Sequence, residues 1–164
     1  MRPLTEAQIR ASFINTSKRE RANVTLPAGP GDIDWESLDY LGWRDPKLAR
    51  VGYLVTWIDD EPVGLSLQKS DIRPRTRAQC SWCADIHLPN DVVFYATKRV
   101  GAAGRRGDTV GTLICEHFEC SINVRKLPPS AYLGFDREAA RQSRILALQE
   151  NVDRFVRDVQ QGRD

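Results

Sequence analysis

The sequence predicts an α+β fold that is built from antiparallel hairpins with a helix at each end. Three observations support this prediction. β-rich runs occur in two neighbouring pairs, at 53–67 and 92–114. Apolar residues recur every three or four positions over 136–161, which is typical of an amphipathic helix. The four cysteines form two close pairs, one on each side of the second hairpin. This order of elements is the basis for each prediction below.

The composition is that of a globular protein, with 164 residues, 41% hydrophobic and 28% charged. We expect a single domain over 1–164, with a helical, Trp-rich N-terminal segment (1–50), the hairpins and cysteines (51–127) and a C-terminal helix (128–164). No apolar run approaches the roughly 20 residues of a membrane helix, and no secretory signal opens the sequence. We therefore expect a cytoplasmic protein with reduced cysteines and no membrane association.

The N-terminal segment begins with a helix signal. Thr5 and Gln8 fit a capping box, and Leu4 and Ile9 occupy the two positions of a hydrophobic staple. The polar, basic run at 15–23 is expected to end this helix.

A loop and a short tryptophan-bearing turn follow the first helix. Residues 26–31 form a loop by composition, and Trp35 lies on a short turn that is expected to stop at 42–46. Aromatic residues at this density predict core anchors in preference to a ligand site.

Two hairpins are expected in the middle of the chain. Strands at 53–58 and 63–67 are joined by a turn of four residues, and this is the clearest β element. A second pair, at 92–98 and 109–114, is joined by a loop rich in glycine and arginine, for which three glycines in seven residues disfavour a helix.

The C-terminal helix at 136–161 has one apolar face and one polar face, and Gly162 is expected to stop it. The residues of its apolar stripe are Ile145, Leu148, Val152, Phe155, Val156 and Val159.

The two cysteine pairs predict one zinc ion held by four thiolates. Cys80 and Cys83 have the C-x2-C spacing that places two sulfurs on one metal, and Cys115 and Cys120 supply a second pair. Buried free thiols and redox cysteines are the alternatives, although a redox C-x-x-C would explain only the first pair. In the treble-clef order of knuckle, hairpin and helix, Cys120 would lie on the first turn of a short helix.

The two histidines bear on the same site. His87 and His117 lie near enough in sequence to replace one cysteine ligand. Four thiolates would close the coordination shell and leave no metal-bound water, which disfavours a catalytic zinc. Because no Ser-His-Asp, P-loop or dinucleotide-binding pattern appears either, we expect a protein that is not an enzyme and has no small-molecule substrate.

Charge is unevenly distributed although its net value is only +2. Formal charges come to about −5 over 29–62 and about +4 over 63–126. Arg73, Arg75 and Arg77 would share one face of an extended segment, which is either a solvated surface or a binding patch. The cations beside the glycine-rich link are the expected partner contacts, and they are Lys98, Arg99, Arg105 and Arg106.

Several motifs together resemble the bacterial FBP family, whose treble-clef zinc domain is shared with FusB-type fusidic acid resistance proteins. They are residues 41–45, the knuckle Cys80-x2-Cys83, Gly101-x2-Gly104-Arg105 leading to 110–112, and Cys115-x4-Cys120. The resemblance implies that the four cysteines are zinc ligands. It also implies binding to elongation factor G and promotion of its release from the ribosome.

An RNA-binding or ribosome-binding module is the alternative function. In that case the same arginines would contact phosphates, and Trp82 or Tyr95 would stack on bases.

Overall fold

A five-stranded antiparallel sheet, in the order β1-β2-β3-β4-β5, lies at the centre of the protein. The computed structural model describes residues 1–27, 29–72, 76–85 and 91–161. The strands are β1 (Leu41–Arg44), β2 (Val51–Ile58), β3 (Glu61–Lys69), β4 (Val92–Lys98) and β5 (Thr109–Cys115). The helices are α1 (Glu6–Ser12), α2 (Lys18–Asn23), α3 (Gly101–Arg105), α4 (Cys120–Arg125) and α5 (Arg137–Gln160). The predicted α+β class is confirmed.

The first hairpin is tighter than its sequence suggested. Pairing between β2 and β3 continues to Ile58 opposite Glu61, so the turn has two residues and not four. Asp59 and Asp60 form it with φ angles of 48° and 66°. A two-residue turn with both φ angles positive matches the twist of the strands that it joins, and aspartate tolerates this conformation.

Helix α1 begins as its capping box predicts. The Thr5 hydroxyl accepts a hydrogen bond from the Gln8 amide at 3.2 Å, and the Gln8 side chain accepts one from the Thr5 amide at 2.8 Å. Residues 15–23 follow the end of α1, but they also contain a second helix that was not predicted. Ser17 and Glu20 form a second capping box, at which α2 begins.

Strand β1 replaces part of the turn expected at 42–46. Leu41 and Trp43 point into the core and pair with Val55 and Tyr53 of β2. A Cβ atom at Gly42 would lie 2.7 Å from the Phe118 side chain, so glycine is required here for close packing. That requirement arises from a residue far along the chain.

The glycine-rich link between β4 and β5 contains helix α3, where the sequence predicted a loop. Gly101, the first residue of the helix, and Gly107, which follows its end, have φ angles of 74° and 98°. Two of the three glycines therefore shape the entry and exit of the turn, and their conformational freedom does not prevent a helix between them.

The core has two clusters, and the four cysteines lie in only one of them. The first packs the cysteines and Trp82 against the sheet and the apolar stripe of α5, of which Leu148, Val152, Phe155, Val156 and Val159 are buried. The second cluster joins α1 to β1 and β2, and it contains Trp35 and Trp43. The prediction of these tryptophans as core anchors is confirmed, whereas Gly162 lies outside the described residues.

No helix in the described part of the chain combines the length and the apolar composition that a membrane crossing needs.

Candidate metal centre

Three structural elements bring the cysteines together. Cys80 and Cys83 flank a tight turn in which the Cys83 amide donates to the Cys80 sulfur at 3.5 Å. Cys115 is the last residue of β5, and Cys120 is the first residue of α4. Between them, Phe118 reverses the chain with a φ of 63°, and its amide donates to the Cys115 carbonyl at 3.1 Å. The position of Cys120 on the first helical turn agrees with the treble-clef order.

The four sulfur atoms have the spacing of a tetrahedral zinc site. The Sγ atoms of Cys80 and Cys120 are 3.6 Å apart, and those of Cys83 and Cys115 are 3.7 Å apart. All four lie within 4.8 Å of one another and are buried. Bonds of about 2.3 Å to a tetrahedral zinc separate its sulfurs by about 3.8 Å. The donor set and its geometry therefore fit one zinc ion.

Further contacts orient the sulfurs. The Asn123 side chain donates to the Cys115 sulfur at 3.5 Å. Hydrogen bonds among the four thiols lower the pKa of Cys80 and Cys83 and raise the pKa of Cys115 and Cys120, because the four groups share their protons. Metal binds the thiolate form, so zinc must displace the protons that remain in the cluster.

The histidines do not join this cluster among the described residues. His117 is exposed and is not part of the group of side chains that could hold a metal, which consists of the four cysteines. His87 lies outside the described residues. A site of four thiolates leaves no open position for substrate or water, as in structural zinc sites.

The fold and the cysteine cluster define a treble-clef zinc-binding protein. The chain belongs to the FBP C-terminal treble-clef zinc-finger family, whose model matches residues 8–159. The family and the buried cluster together support one structural zinc per chain.

A solved structure, described as that of the fusidic acid resistance protein FusC, resembles this fold. The two chains share 18% identity with a TM-score of 0.58, and the match covers 95% of this chain and 58% of that one. At this identity the likeness concerns the fold alone. No curated protein sequence matches the chain.

The predicted basic contacts differ in how they are placed. Lys98, Arg105 and Arg106 are exposed, and Arg106 forms a 3.8 Å ion pair with Asp108. The Arg99 side chain, in contrast, is only 12% exposed. It forms an ion pair with Asp158 at 3.2 Å and fastens β4 to the C-terminal end of α5.

The segment of alternating arginines is described only in part. Arg73 and Arg75 lie outside the described residues, so the face that they were expected to share with Arg77 is not defined.

The aromatic residues suggested for stacking on RNA bases are not accessible. Trp82 is 2% exposed and Tyr95 is 0% exposed. The Tyr95 hydroxyl donates to the Glu116 carbonyl at 3.0 Å inside the protein. The expectation that either ring stacks on RNA is therefore wrong, because both are core residues.

A buried charge cluster beside the metal centre was missed by sequence reasoning. The Glu116 carboxylate follows Cys115 directly and accepts hydrogen bonds from Lys69 at 2.7 Å and Arg44 at 3.0 Å. The hydrogen bond from Lys69 lowers the pKa of Glu116. The cluster ties β1 and β3 to the end of β5.

Replacing Glu116 with glutamine should lower the free energy of unfolding by about 2–3 kcal/mol. The change keeps the shape of the side chain but leaves the Lys69 and Arg44 cations uncompensated in a largely buried site. Urea denaturation of the zinc-loaded protein measures the effect. Glu138→Gln removes the carboxylate of an exposed ion pair with Arg141 and should cost less than about 1 kcal/mol. Equal costs for the two variants would contradict the prediction.

Proposed function

We propose that this chain is a zinc-braced binding protein that engages translation elongation factor G in the cytoplasm. The observation that carries the proposal is membership of the FBP zinc-finger family, with a four-cysteine cluster of the expected geometry. We propose Cys80, Cys83, Cys115 and Cys120 as the four zinc ligands. Assistance in releasing the factor from the ribosome is part of the same proposal, and it is supported by family resemblance.

The proposed contact residues are Lys98, Arg105 and Arg106, on and around helix α3. This helix is anchored to the zinc-containing core, because the Val100 amide donates to the Val159 carbonyl at 3.1 Å and Arg99 pairs with α5. The backbone that carries the exposed cations is therefore fixed relative to the core. Such a surface suits an acidic partner, for which charge accelerates association more than it strengthens the complex.

Catalysis does not form part of the proposal. The cysteine cluster has no open coordination position, and its chemistry is that of a structural brace. The metal thus contributes to function by fixing the knuckle, α4 and the end of β5 relative to one another.

Calorimetry with purified, nuclease-treated elongation factor G and the zinc-loaded protein tests the proposal. We expect a complex with a dissociation constant below tens of micromolar in the absence of RNA. No heat of binding at that concentration would overturn the proposal. Binding that appears only with ribosomal RNA, with a steep dependence on salt, would support the alternative function through phosphate contacts.

Replacing Arg105 and Arg106 together with serine should slow association with the factor and weaken its salt dependence. Both side chains are exposed, so the fold and the zinc content should not change. Stopped-flow association at low and high salt measures the effect. Lys47→Ser with Arg50→Ser removes two exposed cations from the connection between β1 and β2 and is the matched control. Rates equal to those of the wild type at both salt concentrations would exclude the α3 arginines as contacts.

A further inference from the structure

The two faces of the sheet are covered to different extents. One face carries Leu54 and Tyr95, which are buried in the first core cluster together with the apolar stripe of α5. On the opposite face, Trp43 and Tyr53 belong to the second cluster, which packs α1 against β1 and β2. That cluster contains no residue of β3, β4 or β5. The part of this face over β4, β5 and the end of β3 is therefore a candidate binding surface.

The register of the sheet identifies the residues of this surface. Gln68 lies opposite Val51, which shares a face with Tyr53 on β2. Ala96 lies opposite Gln68, and Gly111 lies opposite Ala96. Opposite residues of an antiparallel pair share a face, as do alternate residues of one strand. We call this surface the open face, and its residues are Gln68, Phe94, Ala96, Lys98, Thr109 and Gly111. All of them except the half-buried Ala96 are exposed.

Phe94 presents an aromatic ring on the open face. Its side chain is 40% exposed, although one end of the ring occupies the space that a Cβ atom of Gly111 would take. The glycine therefore allows the ring to lie across the neighbouring strand. A ring that packs on the sheet and remains accessible from solvent is a surface on which a planar group stacks.

Two lysines lie at one end of the open face. Lys98 ends β4, and Lys18 is the first residue of α2. The Asn15 side chain brings the start of α2 close to β4, because it donates to the Ser66 carbonyl at 2.9 Å and to the Thr97 hydroxyl. Both lysines are exposed, and neither forms an ion pair with a described residue. They are free to pair with an anionic ligand.

The open face itself carries no carboxylate, and those at its border are engaged. Glu20 accepts a hydrogen bond from the Ser17 amide at 2.7 Å, and this bond, with a smaller effect of the Lys98 charge, lowers the pKa of Glu20. Asp71 is paired with Arg50 at 2.8 Å, and Asp108 with Arg106 at 3.8 Å. The remaining exposed cations at this end of the sheet are Lys18, Arg19, Lys98 and Arg105. The surface is therefore positively charged.

Uncharged hydrogen-bonding groups lie beside the ring and the lysines. Gln68 is opposite Ala96, and Thr109 is opposite Lys98. An amide and a hydroxyl both donate and accept hydrogen bonds, as the edge of a nucleobase requires. An acidic protein surface would use the cations alone, whereas an accessible ring among cations and neutral polar groups fits both the bases and the phosphates of a nucleic acid. The bases of a duplex are stacked on one another, so the ring selects a single strand.

We propose that the open face binds single-stranded nucleic acid, with a base stacked on Phe94 and phosphates held by Lys98 and Lys18. Phe94 thus takes the role that the buried Trp82 and Tyr95 do not have. The proposal goes beyond binding to elongation factor G and does not depend on it, although Lys98 is also one of the proposed contacts of that factor.

Three oligomers of equal length provide the test. Octauridylate, octadeoxyuridylate and an abasic ribose-phosphate octamer are titrated into the ¹⁵N-labelled, zinc-loaded protein. Octauridylate or octadeoxyuridylate should shift the Gly111 amide resonance through the ring current of the stacked base, with a dissociation constant below about 100 µM at low salt. The tighter of the two identifies the sugar that the site prefers. The abasic octamer has the same phosphates but nothing to stack, so it should bind at least about fivefold more weakly. Absence of binding at about 1 mM, or equal binding of all three oligomers, overturns the proposal.

Variants of Phe94 test the stacking residue. Phe94→Leu keeps an apolar side chain but cannot stack, and it should weaken octauridylate binding at least about fivefold, whereas Phe94→Tyr should bind as the wild type does. Tyr132→Leu removes another exposed aromatic ring, in the loop before α5, and should have no effect. Equal binding by Phe94→Leu and Tyr132→Leu contradicts the proposal. If Phe94→Leu fails to fold, the comparison with the abasic octamer still decides the question.

The lysines are tested by the dependence of binding on salt. Replacing Lys18 and Lys98 together with glutamine removes two phosphate contacts, so the slope of log affinity against log salt should become shallower by about 1.4. Lys47→Gln with Lys126→Gln makes the same change in charge at exposed lysines outside the open face and should leave the slope unchanged. Equal slopes for the two double variants would exclude Lys18 and Lys98 as phosphate contacts.

Binding to elongation factor G separates this proposal from the proposed function. Weaker binding of the factor by Phe94→Leu, with no binding of octauridylate by the wild type, would assign the open face to a protein contact and overturn the proposal. Binding of octauridylate that requires Phe94, with no binding of the factor, would support the open face while overturning the proposed function.

Discussion

Replacing Cys83 with serine should abolish zinc binding and unfold the half of the protein that contains α4, α5 and the knuckle. Binding of zinc by four thiolates contributes about 10–16 kcal/mol in small zinc domains, whereas the net stability of a domain is about 5–15 kcal/mol. The first core cluster includes all four cysteines and the buried face of α5, so it cannot persist without them. The second cluster contains no cysteine and should keep its packing around Phe13, Trp43 and Val55.

Elemental analysis and amide hydrogen exchange measure this difference. Wild-type protein purified without chelator should carry about one equivalent of zinc, and the serine variant almost none. Amides of α5 should lose their protection, while those of β2 retain most of theirs. Ser81→Ala, in the same knuckle, keeps the backbone amide that bonds to Leu113 and should behave as the wild type. Full zinc occupancy in the serine variant, or an equal loss of protection in both clusters, would contradict the prediction.

The elements that could be predicted from the sequence are those whose signals are local. The capping box of Thr5 and Gln8, the β2–β3 hairpin and the apolar stripe of α5 each depend on residues close together in the chain. Helix α2 had an equally local signal in Ser17 and Glu20, but the basic composition of the run concealed it.

The elements that were missed depend on distant partners. Strand β1 forms because Leu41 and Trp43 pair with residues of β2 in the antiparallel sheet. The Phe118 side chain also packs in the space beside Gly42. Helix α3 forms because Val100 and Arg99 are tied to the end of α5, which stabilises a short helix that glycine alone disfavours.

The cysteine cluster was predictable and the charge cluster beside it was not. The spacing within the two cysteine pairs is visible in the sequence and is typical of metal ligands. Few other functions account for two such pairs in one chain, so the spacing predicts a metal site. Glu116 pairs with Lys69 and Arg44, which lie 47 and 72 residues away, and no pattern in the sequence connects them. The spacing of residues in the sequence likewise could not distinguish Arg99, whose side chain is ion-paired and 12% exposed, from the exposed Arg105.

Replacing Trp82 with alanine should lower the free energy of unfolding by about 3–5 kcal/mol without removing the zinc. Trp82 lies between Cys80 and Cys83 in sequence, but its ring packs against Tyr40 and Phe155, with centroid separations of 5.3 and 5.5 Å. Its carbonyl accepts a hydrogen bond from Asn151 at 3.1 Å. The ring therefore docks α5 onto the knuckle, and its truncation leaves a cavity there.

Zinc content and chemical denaturation of the same sample separate this effect from loss of the metal. The alanine variant should retain about one equivalent of zinc, because all four thiol groups are unchanged. Trp82→Phe should cost less than half as much as the alanine variant. The indole nitrogen is buried without a hydrogen-bond partner in the described structure, so phenylalanine removes an unsatisfied donor while keeping most of the packing. Loss of zinc in the alanine variant, or equal costs for alanine and phenylalanine, would show that Trp82 supports the metal site itself and does not act by docking the helix.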